Sequence, residues 1–137
     1  MMFTFRHINR AVYPTKHILV CEDNLQNQEL IAKHLKELFG DEQLVQCSFV
    51  CGGLQASSIL HYCKVDLILL DHDMPSGNGI DLMNWMKTYN CNVPVITFSG
   101  IPQNNIMLMK AGANYLFSKH EVINGKADNL IKSILNM

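Results

Sequence analysis

Three short runs dominated by apolar residues, Ile18 to Cys21, Val65 to Leu70 and Val93 to Phe98, each give way to polar side chains. A strand that is apolar on both faces has no side to turn to water, so such runs belong in a sheet covered front and back. Helical patterns separate them. From Leu25 to Phe39, Ile31, Leu35 and Leu38 recur at i, i+4 and i+7 with Lys33, Lys36 and Glu37 between them, and Gly40 supplies the stop.

The rest of the chain keeps the alternation. Leu44 to Val50 reads as a strand, and Gly52-Gly53 opens a helix to about Cys63. Pro75, Gly77 and Gly79 make a loop before a helix from Ile80 to Tyr89. A helix from about Gln103 to Ala111, a short strand from Tyr115 to Phe117 and a closing helix from Ala127 to Leu135 complete the order. Strand and helix thus repeat five times. That pattern predicts an α/β fold with a parallel sheet, and right-handed crossovers leave few windings. The expected architecture is a flavodoxin-like doubly wound (βα)5 three-layer sandwich with strand order 2-1-3-4-5.

A chain of 137 residues supports one domain, read here as residues 17–137 after an N-terminal extension, 1–16, that is flexible or strand-like and is ended by Pro14. The net charge of −1 gives no basic surface for nucleic acid or anionic membranes. No run reaches the roughly 18 apolar residues of a membrane span, and residues 1–16 lack a secretory core, so a cytoplasmic location is expected. Five cysteines, Cys21, Cys47, Cys51, Cys63 and Cys91, are odd in number and lack Cys-x-x-Cys spacing. They read as reduced, mostly buried thiols, and His61 with Cys63 lacks the further ligands of a zinc site. Ile106 and Met109 are expected in the core, with Met107 exposed.

In a doubly wound sheet, ligands bind beyond the carboxyl ends of the strands. The first strand ends in Glu22-Asp23, the third in Asp71 with Asp73 two residues on, the fourth in Ser99, and the fifth runs into Lys119. Clustered carboxylates repel one another unless a cation neutralises them, and a hard divalent ion such as Mg²⁺ suits oxygen donors that also leave room for water and phosphate. Such a site shields a phosphoryl group so that a carboxylate, Asp71, can attack phosphorus. Lys119 and the Ser99 hydroxyl would then bind the phosphoryl oxygens.

These segments resemble the receiver domains of two-component response regulators, especially those attached to hybrid histidine kinases. Ile-Leu-Val-Cys-Glu-Asp-Asn (18–24) is similar to the family's first strand and acidic pair, and Glu-Asp-Asn-Leu-Gln-Asn-Gln (22–28) to the hybrid-kinase form. Asp-Leu-Ile-Leu-Leu-Asp-His-Asp-Met-Pro-Ser-Gly-Asn-Gly (66–79) resembles the phospho-acceptor segment. Val-Pro-Val-Ile-Thr-Phe-Ser-Gly (93–100) and Ala-Gly-Ala-Asn-Tyr-Leu-Phe-Ser-Lys (111–119) resemble the segments carrying the switch hydroxyl and the lysine.

The resemblance implies Asp71 as phospho-acceptor and Mg²⁺ held by Glu22, Asp23, Asp71 and the Asp73 main-chain carbonyl. It implies Ser99 as switch residue and Lys119 as phosphate contact. The donor would be a histidine kinase or histidine phosphotransfer protein, and the output a protein contact through the fourth helix, fifth strand and fifth helix. The chain would act as a switch with self-catalysed phosphotransfer and slow autodephosphorylation, not as an enzyme turning over a substrate.

Departures gather on the output side. His120 follows the lysine where the family usually has proline, and Leu116 stands where an aromatic usually sits. The span from Ser99 to Gly112 is short for a full fourth helix, and His120 to Gly125 delays the last one. Two rival readings remain. One is a receiver-like interaction module that works without phosphorylation. The other is a haloacid-dehalogenase-like phosphatase using Asp71 as nucleophile and Asp73 as acid/base, which would need a late acidic pair where only Glu121 and Asp128 occur.

Overall fold

The computed structural model describes residues 15–40 and 44–137. Of the expected extension, 1–16, residues 1–14 lie outside the described residues, and Lys16 already belongs to the first strand. Among the described residues, eleven elements follow in order. They are β1 (Lys16–Cys21), α1 (Leu25–Phe39), β2 (Val45–Val50), α2 (Gly53–Tyr62), β3 (Leu67–Leu70) and α3 (Gly79–Thr88). Then come β4 (Val95–Thr97), α4 (Pro102–Lys110), β5 (Tyr115–Leu116), α5 (Lys119–Ile123) and α6 (Asp128–Leu135).

The strands form one parallel sheet in the order β2-β1-β3-β4-β5, the winding expected from the alternation. Side chains alternate across it with period two. Leu19, Cys21, Ile68 and Leu70 face a core closed by Ala56 of α2, Leu82, Met83 and Met86 of α3, and Leu108 of α4. Ile18, Val20, Leu67 and Leu69 face the other core, against Ile31 and Leu35 of α1, Val122 of α5 and Ile131 and Leu135 of α6. Two apolar layers explain why the central strands carry no polar alternation.

The ladders are shorter than the apolar runs. The β1–β3 pairing begins at Ile18 with Leu67, leaving Val65 buried but unpaired in the sheet. Pro94 has no N–H to give, so β4 starts at Val95 while the Pro94 carbonyl still accepts from Ile68. One element was missed altogether. The five-residue helix α5 occupies the segment read as a delay before the last helix, and a Ser118–Glu121 capping box starts it.

Helix α4 departs from the expectation at Ile106, while Met107 is exposed and Met109 lies against the core as expected. Ile106 is 51% exposed, Met107 38% exposed, and the helix buries Asn105 and Leu108 instead; Met109 packs partly against the core. An apolar count could not find this phase, because the residue that sets it is a polar one with all its hydrogen bonds made.

The thiols also depart from the expectation. Only Cys21 is buried; Cys47 and Cys91 are half-buried, and Cys51 and Cys63 are exposed. Burial, with the nearby Asp71 charge, pushes the Cys21 thiol far up, and burial pushes Cys47 up to about 11. A maleimide reagent should therefore modify Cys51 and Cys63 first and Cys21 only on global unfolding. Peptide mapping of a native time course checks this, and Cys21 labelling as fast as Cys63 would contradict it.

Candidate functional site

The carboxyl end of β1 places Glu22 beneath the surface, 1% exposed, with its backbone N–H on the Val50 carbonyl. Its carboxylate accepts the Asn24 backbone N–H at 3.1 Å. Asn24 caps α1 by accepting from the Asn27 N–H at 3.0 Å, and Gln28 donates to the Glu22 carbonyl at 2.6 Å. The turn bearing the acidic pair is thus locked to the start of α1, while Asp23 stays exposed.

Asp71 follows β3, buried, its N–H on the Cys21 carbonyl and one carboxylate oxygen accepting from the His72 N–H at 2.8 Å. The loop beyond it is docked onto α2, with Gly53 and Leu54 N–H groups on the Gly77 and Ser76 carbonyls. That approach is close enough that a Cβ on Gly52 would stand 2.5 Å from the Ser76 oxygen.

Glu22, Asp23 and Asp71 each offer a carboxylate oxygen, and these lie within 4.8 Å of one another. Lys119, the first residue of α5, reaches between them, its Nζ 2.6 Å from Glu22 Oε1 and 3.2 Å from Asp71 Oδ2. It also lies 5.7 Å from the centre of the Phe98 ring. The Ser118–Glu121 capping box that begins α5 brackets Lys119 and fixes the backbone that carries it.

Burial opposes the charge on Lys119, but hydrogen bonds and attraction from Glu22 and Asp71 outweigh it and raise its pKa above the ordinary 10.5. One amine against three carboxylates leaves a net charge of −2 when all are ionised. An all-oxygen set with excess negative charge and one exposed member fits a hard divalent cation such as Mg²⁺.

Of the other expected residues, Ser99 is buried on the same rim, but its hydroxyl accepts the Ile101 N–H at 3.1 Å and touches none of the carboxylates. The Asp73 carboxylate is turned outward, accepting from Asn104 of α4 at 3.2 Å. Sequence reasoning missed Asn24, Gln28, Asn104, Asn105 and Ser118. Two of them carried a readable signal, Asn24 as an N-cap directly before a helix and Ser118-Lys-His-Glu121 with the Ser-x-x-Glu spacing of a capping box.

Residues 18–134 match the model of the response regulator receiver domain. The chain is 28% identical over 105 residues to transcription factor SKN7 of Saccharomyces cerevisiae, covering 75% of this chain and 16% of that protein. It is 26% identical over 100 residues to the transcriptional regulatory protein HptR of Staphylococcus aureus, covering 72% of this chain and 36% of that one. It therefore spans only about a sixth and about a third of these regulators. Its fold matches the receiver domain of a Pseudomonas aeruginosa sensor histidine kinase with a TM-score of 0.76 at 22% identity, covering 90% of this chain and 100% of that one. That protein was solved with a magnesium ion coordinated in its active-site cleft.

Proposed function

The chain belongs to the response regulator receiver domain family, a family of signalling switches, and from that premise we propose that Asp71 takes a phosphoryl group from a phosphohistidine. The donor is a histidine kinase or histidine phosphotransfer protein. The observation that carries this reading is Lys119 bridging Glu22 and Asp71 inside the three-carboxylate cluster at the carboxyl edge of the sheet.

In the transfer, a carboxylate oxygen of Asp71 forms a bond to phosphorus as the bond from phosphorus to the histidine nitrogen breaks. The departing nitrogen keeps the electron pair and the imidazole retains or regains a proton from water. Glu22, Asp23, Asp71 and the Asp73 carbonyl would hold Mg²⁺, which when bound would supply the positive charge that lets two anions approach. Lys119 already stands beside Asp71 Oδ2 and needs only to release Glu22 to meet the phosphoryl oxygens. The Ser99 hydroxyl, an acceptor for Ile101, keeps its own proton for donation to the phosphoryl group. Loss of the phosphoryl group is slow and self-catalysed.

The output passes to a partner protein through the α4, β5 and α6 face, where Ile101, Ile106, Met107, Tyr115 and Leu116 are exposed. Leu116 has no ring to swing inward, so the readout here takes another route.

The phosphatase reading finds no support, since its late acids are used elsewhere. Asp128 pairs with His34 at 2.7 Å, and Glu121 caps α5. Incubation with acetyl phosphate and Mg²⁺, followed by intact-mass measurement, tests the proposal. The protein should gain one phosphoryl group, and none after chelation of the metal. No gain with Mg²⁺ present would leave the phosphorylation-independent module as the better reading.

A further inference from the structure

Asn105 is a polar residue on the inward face of α4, 2% exposed, and its side-chain amide is fully used. Its Oδ1 accepts the Ser99 backbone N–H at 2.8 Å and the Thr97 hydroxyl. Its Nδ2 donates to the Ser99 carbonyl at 3.0 Å and to the Phe117 carbonyl at 3.1 Å. Two acceptances and two donations exhaust what an asparagine side chain offers, and they fix which way the amide points. A buried amide is costly when unpaired, so this position holds only while all these partners stay in place.

The partners are placed unusually. Ser99 is gripped through both its N–H and its carbonyl, which sets where its hydroxyl lies. Phe117 is two residues before Lys119, so the same amide ties down the strand end that carries the lysine. The adjacent Asn104 holds the Asp73 carboxylate on the loop after Asp71. The first turns of α4 are therefore bonded to the ends of β4 and β5 and to the acceptor loop.

We propose that Asn105 is a positioning residue that registers Ser99 and Lys119 against each other and passes Ser99's movement directly to α4. This deepens the reading of Asp71 as phospho-acceptor and rests on it. A phosphoryl group that draws the Ser99 hydroxyl towards it must also disturb the main-chain groups that Asn105 holds. The amide then moves or loses bonds, and α4 moves with it. The coupling runs through hydrogen bonds and asks nothing of an aromatic ring at position 116.

The test uses beryllofluoride with Mg²⁺ as a phosphoryl mimic on the full chain, in wild type, Asn105→Ala, Ser99→Ala and the double variant. Asn105→Ala should bind the mimic about tenfold more weakly, the scale of a misplaced buried hydrogen-bonding group. In the Ser99→Ala background the same change should weaken binding only about threefold or less, because its main route is already gone. Mg²⁺ affinity without the mimic should change far less than affinity for the mimic, since Asn105 touches none of Glu22, Asp23 or Asp71 and reaches Lys119 only through the Phe117 carbonyl. An equal factor in both backgrounds, or no weakening at all, overturns the proposal.

Should Asn105→Ala fail to fold, the wild type decides. The side-chain amide resonances of Asn105 should shift when beryllofluoride is added, and a fixed position would refute the coupling. Wild type that binds no beryllofluoride in Mg²⁺ instead sinks the acceptor reading itself, a result obtained before any variant is made.

Discussion

Asp71→Asn should take up no phosphoryl group from acetyl phosphate and Mg²⁺, while folding as well as the wild type. The side chain keeps its shape, and its Oδ1 can still accept from the His72 N–H, a contact now 2.8 Å long. What disappears is the anionic oxygen that attacks phosphorus, and a neutral amide is a poor substitute. The charge count also falls, from three carboxylates against one amine to two, so repulsion in the metal-free site eases. Thermal stability without Mg²⁺ should accordingly hold or rise, while Mg²⁺ binds more weakly. Intact mass and a melting curve decide. Labelling that persists in the variant would remove Asp71 as the acceptor.

Lys119→Met should show the opposite pattern, a stability defect that metal repairs. Methionine is unbranched and close to lysine in length, so the space filled changes little, although the amine's position 5.7 Å from the centre of the Phe98 ring is lost. The amine is the cation 2.6 Å from Glu22 and 3.2 Å from Asp71, both buried. Breaking a buried pair from one side typically costs about 3–5 kcal/mol, and Lys119 is partly exposed, so a loss of about 2–3 kcal/mol is expected without metal. Saturating Mg²⁺ should restore much of it, because the ion binds the folded cluster and not the unfolded chain. Denaturant titrations with and without Mg²⁺ measure both. Equal stability of the two proteins in chelator would show that the amine does not hold the carboxylates in place.

The same pair sets a pH signature. The Lys119 pKa is raised in the folded state, so its contribution is fully present below the ordinary 10.5 and is lost as pH climbs through the raised value. The gap between wild type and Lys119→Met should therefore stay level through neutral pH and close only in strong alkali.

Much of this molecule is legible one segment at a time. Ile18 to Cys21 is apolar at every position, which excludes a strand with a wet face, and the helical spacing of Ile31, Leu35 and Leu38 defines what covers it. Where each such strand ends, an acid, a hydroxyl or an amine appears, so Glu22, Asp23, Asp71, Ser99 and Lys119 could be assigned to one rim before any distance was known. The departures in burial share one cause. Ile106 was placed inside and Asn105 ignored because apolarity stood in for burial, and the exposed Cys51 and Cys63 were judged by their apolar neighbours. A polar side chain whose every hydrogen bond is made is as good an inward residue as leucine, but its partners lie on other elements.

That Asp71 and the acidic pair each follow an apolar strand was therefore written into the sequence, because a run of apolar residues and the polar residue that ends it are local patterns. Only the tertiary structure decided that Lys119, 48 positions from Asp71, sits between that acid and Glu22. It alone showed a single buried asparagine clasping the strand ends that carry Ser99 and Lys119. Contacts of that kind depend on how far apart the strands lie and how each helix is rotated, and no local pattern of residues encodes either.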